Sequence, residues 1–268
     1  MPAEAMVTPV PQRAQKRPFI RLDKVRKVYQ SGGEAFVAVS DVTMEVGEGE
    51  LVSLVGPSGC GKTTVLKILA DLHGHDGGTV EIGDAEHPFT PGRDVGMVFQ
   101  QPLLLKWRTI LDNVLLPAEI LGLPLKAARE RARGLLALVG LEGFEAKKPY
   151  ELSGGMQQRA AIARALVHDP KLVLMDEPFG ALDALTRERM NLELLRIWEE
   201  SGKTILFVTH SIQEAVLMGS HCAVLTAGPA RMADYFPIDL AYPRRLDMRQ
   251  SPEFGAYARR IYHQLGMD

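Results

Sequence analysis

With 268 residues, 46% apolar and 24% charged, and a formal net charge of −2, the chain is large enough for a full core and ordinary in composition for an α/β protein. That balance supplies no overall field for drawing in a polyanion, and no apolar run approaches the roughly 18–20 residues a membrane-crossing helix needs. Two cysteines, Cys60 and Cys222, are distant in sequence and one lies in a glycine-rich loop, so a disulfide framework is not expected and a reducing compartment is.

Residues 1–18 hold Pro2, Pro9, Pro11 and Pro18 among scattered Lys and Arg, with no apolar segment of signal-peptide type; a disordered arm is expected, with a partner-binding tail as the alternative. Ile20 to Tyr29 alternates as a strand, Gly32-Gly33 turns the chain, and Phe36 to Val46 alternates again. Two such segments ahead of the apolar run Leu51–Val55 suggest a small antiparallel flank beside a main sheet. Tyr29, at the end of its strand, either offers its ring to an adenine or packs on that flank.

Next comes Gly56-Pro57-Ser58-Gly59-Cys60-Gly61-Lys62-Thr63-Thr64, which satisfies G-x-x-x-x-G-K-[ST] between a strand and a helical pattern. The glycines let backbone N–H groups turn inward around anionic oxygens at a helix N-terminus. Lys62 adds a point charge for the β- and γ-phosphates, and Thr63 a hydroxyl for Mg²⁺.

Gly77 to Asp84 reads as a hairpin strand and turn, and Val95–Phe99 as a buried strand ending at Gln100. From Thr109 to about Val139 the chain turns Leu-, Ala- and Arg-rich, with Pro117, Gly122 and Pro124 breaking it into pieces; a helical insertion between two strands is expected there. Thr109 with Asp112 has the spacing of a capping box. Ser153-Gly154-Gly155 opens a further helix running to His168, and its N-terminus is a second anion site that one nucleotide does not obviously need.

Leu172 to Met175 is apolar on both faces, as a central parallel strand should be. It delivers Asp176 and Glu177 at its C-terminal end, where α/β sheets place ligands. Asp176 suits a Mg²⁺ held on phosphates, and Glu177 the orientation or deprotonation of a water attacking the γ-phosphate. Asp183 caps a helix over Ala184–Glu200, Thr204–Thr209 is the next buried strand, and it ends at His210. Ser211 with Glu214 again has capping-box spacing, and Ala223–Leu225 reads as a last strand. Gln100 and His210 stand at strand ends on the same expected edge. Gln100 is placed to touch the metal and the water, and His210 to hydrogen-bond the γ-phosphate.

Taken together, GPSGCGKTT, LSGGMQQR and LVLMDEP resemble the Walker A loop, signature and Walker B strand of the nucleotide-binding subunit of an ATP-binding-cassette transporter, over about residues 19–228. The resemblance implies a RecA-like P-loop NTPase core with a parallel sheet, an antiparallel β flank and an inserted helical subdomain at about 101–168, followed by a C-terminal extension, 229–268, with a helix. It implies that Gln100 is the Q-loop, Gly180-Ala181-Leu182-Asp183 the D-loop, His210 the switch histidine and Tyr29 the adenine-stacking aromatic. It further implies ATP and Mg²⁺ as ligands, with Thr63, Gln100 and Asp176 on the metal and Glu177, His210 and Gln100 in catalysis. Two copies would close head-to-tail, so that Ser153, Gly154, Gly155 and Gln158 of one chain complete the ATP site of the other.

Separate permease subunits and, indirectly, an external solute-binding protein are the implied partners, at the cytoplasmic face of the plasma or inner membrane. Gln101-Pro102-Leu103-Leu104-Leu105-Lys106-Trp107-Arg108-Thr109 and the tail around Pro243-Arg244-Arg245 resemble the nitrate/sulfonate/taurine importer group, although that group commonly has Pro where this chain has Lys106. Leu103–Trp107 is expected to face the permease. The competing readings are an importer ATPase for another solute class, a soluble cassette acting on nucleic acid or ribosomes, which usually carries two cassettes or a long coiled coil, and a module that holds ATP without hydrolysis. The residues also predict a lowered thiol pKa at Cys60, beside Lys62 at a helix N-terminus.

Overall fold

The computed structural model describes residues 18–83, 88–180 and 182–267. The expected arm up to residue 17, Asp84 of the predicted turn and Ala181 of the predicted D-loop lie outside them. The strands are β1 (Pro18–Ser31), β2 (Glu34–Gly47), β3 (Leu51–Val55), β4 (Gly77–Ile82), β5 (Val95–Val98), β6 (Leu172–Asp176), β7 (Thr204–Thr209), β8 (His221–Leu225) and β9 (Ala230–Pro237). The helices are α1 (Lys62–Leu69), α2 (Pro91–Asp94), α3 (Ile110–Ile120), α4 (Leu125–Leu138), α5 (Gly154–Leu166), α6 (Ala184–Ser201), α7 (Ile212–Met218) and α8 (Pro252–Gln264).

The sheet order is β4-β1-β2-β9-β8-β3-β7-β6-β5. From β8 to β5 every pairing is parallel, while β1 pairs antiparallel with both β2 and β4, giving the predicted flank. β3 and β7 are buried at every position. Their alternate side chains feed two cores: Leu51, Val55, Ile205 and Phe207 join the helices α3, α5, α6, α7 and α8 on one face. Val52, Leu54, Leu206 and Val208 join α1 and the flank on the other. Burial on both faces is why these strands read as continuous apolar runs rather than as alternation. Each fully buried Leu, Val or Phe here contributes about 1.5–3 kcal/mol.

The helical insertion consists of α3, α4 and α5, between β5 and β6. It is held tightly to the sheet: a Cβ at Gly96 of β5 would lie 2.1 Å from the Ala165 carbonyl of α5. Only glycine permits that approach. Pro117, expected to break the chain, instead lies inside α3. The helix tolerates it because one missing N–H removes a single i→i−4 bond while Thr109 caps the start, accepting from the Asp112 N–H at 3.1 Å.

The strand expected to be last is not. β9 follows β8, pairs antiparallel with it and parallel with β2, and so joins the flank to the parallel sheet. Its burial is irregular rather than alternating, which hid it in the sequence. The C-terminal helix α8 places Phe254, Ala258 and Ile261 in the same core as the parallel strands, and Trp198 of α6 packs on Tyr242 with ring centroids 5.1 Å apart. The extension beyond residue 228 is therefore part of the body of the molecule. Among the described residues no helix is long and apolar enough to cross a membrane.

Candidate functional site

Because β3, β7, β6 and β5 are parallel neighbours, their C-terminal ends lie on one edge of the sheet. That edge carries the 56–64 loop after β3, His210 after β7, Asp176 and Glu177 at the end of β6, and Gln100 after β5. The pleat and the parallel register bring together residues more than a hundred positions apart.

The loop closes onto α1 through Gly61, whose φ of 118° is left-handed. A Cβ there would also lie 2.7 Å from the Ala38 carbonyl, so glycine is required twice over. Gly56 and Cys60 are buried, while Ser58 and Gly59 are exposed at the loop's crest. Lys62 is only 5% exposed, and its Nζ donates to the carbonyls of Gly56 at 2.8 Å and Pro57 at 2.9 Å. An ammonium has three donors, so a third proton remains for an anionic oxygen cradled by the loop. Thr63 is exposed and Thr64 half-buried on the first turn of α1.

Burial pushes the Asp176 carboxyl pKa up; a hydrogen bond from Thr63 opposes that, and the Glu177 carboxylate adds to it. A partly desolvated carboxylate beside a hydroxyl is an all-oxygen donor pair of the kind Mg²⁺ takes when phosphates fill its other positions. The residues present thus fit the ion, with Thr63 and Asp176 as its holders. The Gln100 amide reaches the same edge: its Nε2 lies 3.9 Å from where a Cβ on Gly180 would stand.

Glu177 adopts a left-handed φ of 45°, a conformation that costs a non-glycine residue of order 1–3 kcal/mol. Its N–H donates to the Val208 carbonyl at 3.0 Å, which pins it between β6 and β7. Its Oε2 lies 3.2 Å from His210 Nδ1. His210 is exposed, whereas Glu177 is mostly covered. A strained carboxylate held by one imidazole at the rim of a phosphate loop is suited to accepting a proton from water.

Tyr29 is half-buried, with its ring edge-on to His73 at 5.7 Å and Lys27 Nζ 5.6 Å from its centroid.

The structure does not gather every candidate. Ser153, Gly154 and Gly155 start α5, which packs on α3, α4 and β5, whereas α1 packs on β2, β6 and β7. The Ser153 hydroxyl caps α5 by accepting from the Met156 N–H at 3.3 Å. Gln158 is turned inward and 4% exposed, donating to the Phe99 carbonyl at 3.0 Å. Its side chain therefore steadies the strand end before Gln100; the residue faces β5 because it lies on the sheet side of α5. Arg164, two turns on, donates to the carbonyls of Pro102 at 2.7 Å and Leu103 at 2.8 Å.

Cys60 corrects an expectation. Burial raises its thiol pKa, and this outweighs the lowering by Lys62 and the backbone N–H groups. The motif placed the thiol at a helix N-terminus, but its Sγ is packed under Gly56, out of water.

Sequence reasoning missed the partners of Glu214. The Ser211–Glu214 box is half-formed: Ser211 Oγ accepts from the Glu214 N–H at 3.3 Å, but the Glu214 carboxylate turns inward to the Thr209 hydroxyl at 2.5 Å. Only a buried Thr preceding His210 hinted at this in the sequence.

Comparison with known proteins bears on the same residues. A family profile described as ABC transporter matches residues 39–180. An uncharacterized ABC transporter ATP-binding protein of Methanocaldococcus jannaschii is 45% identical over 256 residues, covering 96% of this chain and 94% of the relative. The taurine import ATP-binding protein TauB of Roseobacter denitrificans is 42% identical over 238 residues, covering 87% and 88%. Among solved structures, the dimeric ATP-binding cassette MJ0796 in a post-hydrolysis state bound to ADP and Pi superposes with a TM-score of 0.71 at 35% identity, covering 82% of this chain and 98% of that one.

Proposed function

Since the chain belongs to the ABC transporter family of ATP-binding, ATP-hydrolysing cassettes, we propose that it energises import of a small solute of the nitrate, sulfonate or taurine kind through separate permease subunits. The observation that carries the hydrolytic part is the meeting of Glu177 and His210, 3.2 Å apart, on the same sheet edge as the Lys62 loop. The solute class is supported by the taurine-importer relative, which aligns over most of both chains.

In this reading the loop N–H groups and Lys62 hold the β- and γ-phosphates, and the Tyr29 ring meets the adenine. Mg²⁺, when bound by Thr63 and Asp176 with Gln100 nearby, supplies charge neutralisation at the phosphate oxygens. Glu177 accepts the proton of the attacking water, and His210 fixes the Glu177 carboxylate and hydrogen-bonds the γ-phosphate. Ser153, Gly154 and Gly155, remote from α1 in their own chain, complete the site of a second copy, with the α5 N-terminus directed at its γ-phosphate. Two intact sites then form per homodimer.

Coupling would run through α5. Gln158 and Arg164 tie it to the backbone at Phe99, Pro102 and Leu103, so movement of Gln100 toward nucleotide is passed to the helical layer. Beside that segment lies a groove of about 360 Å³ lined by Met97, Phe99, Leu103, Leu116, Pro117 and Ile120. Leu103 and Ile120 are exposed there, as is the neighbouring Trp107 at 73%, which suits the groove to an apolar element of a permease. The protein would then sit peripherally at the cytoplasmic face of the membrane.

The test is to purify the chain with its native membrane partners and assay ATP-driven uptake of taurine and other sulfonates in vesicles. Recovery with ribosomes or DNA and no permease would overturn the importer reading.

A further inference from the structure

We propose that Arg187 and Glu214 are positioning residues that lock Phe179, Gly180 and Leu182 and the loop bearing His210 into one unit, so that Glu177 and His210 are brought together only while that unit is intact. The inference rests on the hydrolytic reading of Glu177 and His210 given above.

Glu214 is 7% exposed. A carboxylate so placed is costly unless donors surround it. Two donors and one cation do so: Thr209 Oγ1 donates to Oε2 at 2.5 Å, Asn191 Nδ2 to Oε1 at 3.5 Å, and the Arg187 guanidinium pairs with the carboxylate as an ion, its Nε 3.9 Å from Oε1. Thr209 Oγ1 in turn accepts from the Ser211 N–H at 3.0 Å. Both neighbours of His210 are thereby fastened, leaving the imidazole exposed but its backbone fixed.

Arg187 faces the other way as well. Its Nε donates to the Phe179 carbonyl at 3.2 Å and its Nη2 to the Leu182 carbonyl at 2.7 Å, with the Gly180 carbonyl at 3.5 Å. One guanidinium thus gathers the turn that follows Glu177 while its charge meets Glu214. Arg187 and Asn191 are four apart on α6, so they present to Glu214 together. The two segments leave different strands, β6 and β7, and these side chains from α6 and α7 tie them in addition to the Glu177 N–H bond to Val208. Glu177, Gly180, Arg187, Thr209, His210, Ser211 and Glu214 line one small cavity, which places the link directly behind the catalytic pair.

The experiment uses the full chain and steady-state MgATP hydrolysis, with binding of a fluorescent ATP analogue and thermal unfolding measured in parallel. Arg187→Met and Glu214→Gln should each lower kcat about tenfold, as small misplacements of reacting groups do, with KM and analogue affinity within about twofold of the parent. Arg187→Lys, which keeps the charge but not the fork, should recover part of the rate. The double variant should be no slower than the slower single, because both cut one link. Rates within about twofold of the parent in both singles, multiplicative losses in the double, or affinity falling in parallel with kcat would each overturn the proposal. If Glu214→Gln does not fold, the comparison of Arg187→Lys with Arg187→Met decides it alone. Glu177→Gln is the control. Parent-like hydrolysis by it overturns the underlying hydrolytic reading, whereas an inactive Glu177→Gln beside a parent-like Arg187→Met overturns this proposal only.

Discussion

His210 Nδ1 and Glu177 Oε2 are 3.2 Å apart at the ends of two adjacent parallel strands, with Glu177 held in a left-handed conformation by its own N–H bond to Val208. In the proposed function that contact makes the phosphate loop part of a hydrolytic site. Replacing Glu177 by Gln keeps the side chain's shape and its distance to His210 but removes the proton acceptor. The kcat should fall about 10²–10⁴-fold while nucleotide affinity is kept, and ATP should hold the chain as a dimer, read by phosphate release and by size-exclusion chromatography. Hydrolysis at the parent rate would remove Glu177 from its role.

Asp176 is charged against its surroundings. Its carboxyl pKa is raised by burial, so folding favours the protonated form; without a cation the fold is more stable below the ordinary carboxylate range and loses stability as pH rises through the raised value. Asp176→Asn should therefore raise the melting temperature of the ligand-free protein at pH 7 and shrink the further rise given by MgATP. A thermal melt with and without MgATP measures both; a lower melting temperature in the ligand-free variant would contradict the account.

Cys60 lies within the phosphate loop but is 1% exposed with its pKa raised by burial. Thiolate is the reactive form, so N-ethylmaleimide should label Cys60 slowly, and at similar rates with and without ATP. Mass spectrometry of the native protein checks this; fast labelling that ATP blocks would show a thiol open to the site.

His168 closes the sheet side of α5. Its Nε2 is 3.0 Å from the Val95 carbonyl, its Nδ1 has no partner, and burial lowers its pKa, assisted by Arg131 and opposed by the Val95 bond, Asp169 and Asp94. A histidine lowered in the folded state contributes stability that is complete above its unfolded value of about 6.5 and is lost as pH falls below it. His168→Gln, which retains a donor for Val95, should flatten that acid-side loss in urea unfolding followed from pH 7.5 to 5. An unchanged slope would mean that another group carries it.

Much of the site was legible because its physics is local. A phosphate cradle needs glycines, a lysine and a hydroxyl at fixed spacing, and a buried parallel strand announces itself by an unbroken apolar run, as Leu172–Met175 does before Asp176 and Glu177. The order of the strands as far as β8 followed from the same runs. Where several surroundings compete for one residue, the sequence misled. The spacing of Ser211 and Glu214 matched a cap, but a buried hydroxyl and a guanidinium from another helix drew the carboxylate away. The electrostatic setting of Cys60 favoured a thiolate, but packing under Gly56 excluded the water that a charge requires.

The sequence by itself determined the chemistry of the phosphate loop, the acids at the end of β6 and the residues that identify the family, since each depends on a few neighbours along the chain. Only the tertiary structure decided that β9 joins the two parts of the sheet, that Gln158 faces inward, and that Arg187 and Glu214 stand behind Glu177 and His210. Those outcomes depend on which surfaces meet when distant segments pack, and burial and hydrogen-bond satisfaction there outweigh any preference written in local spacing.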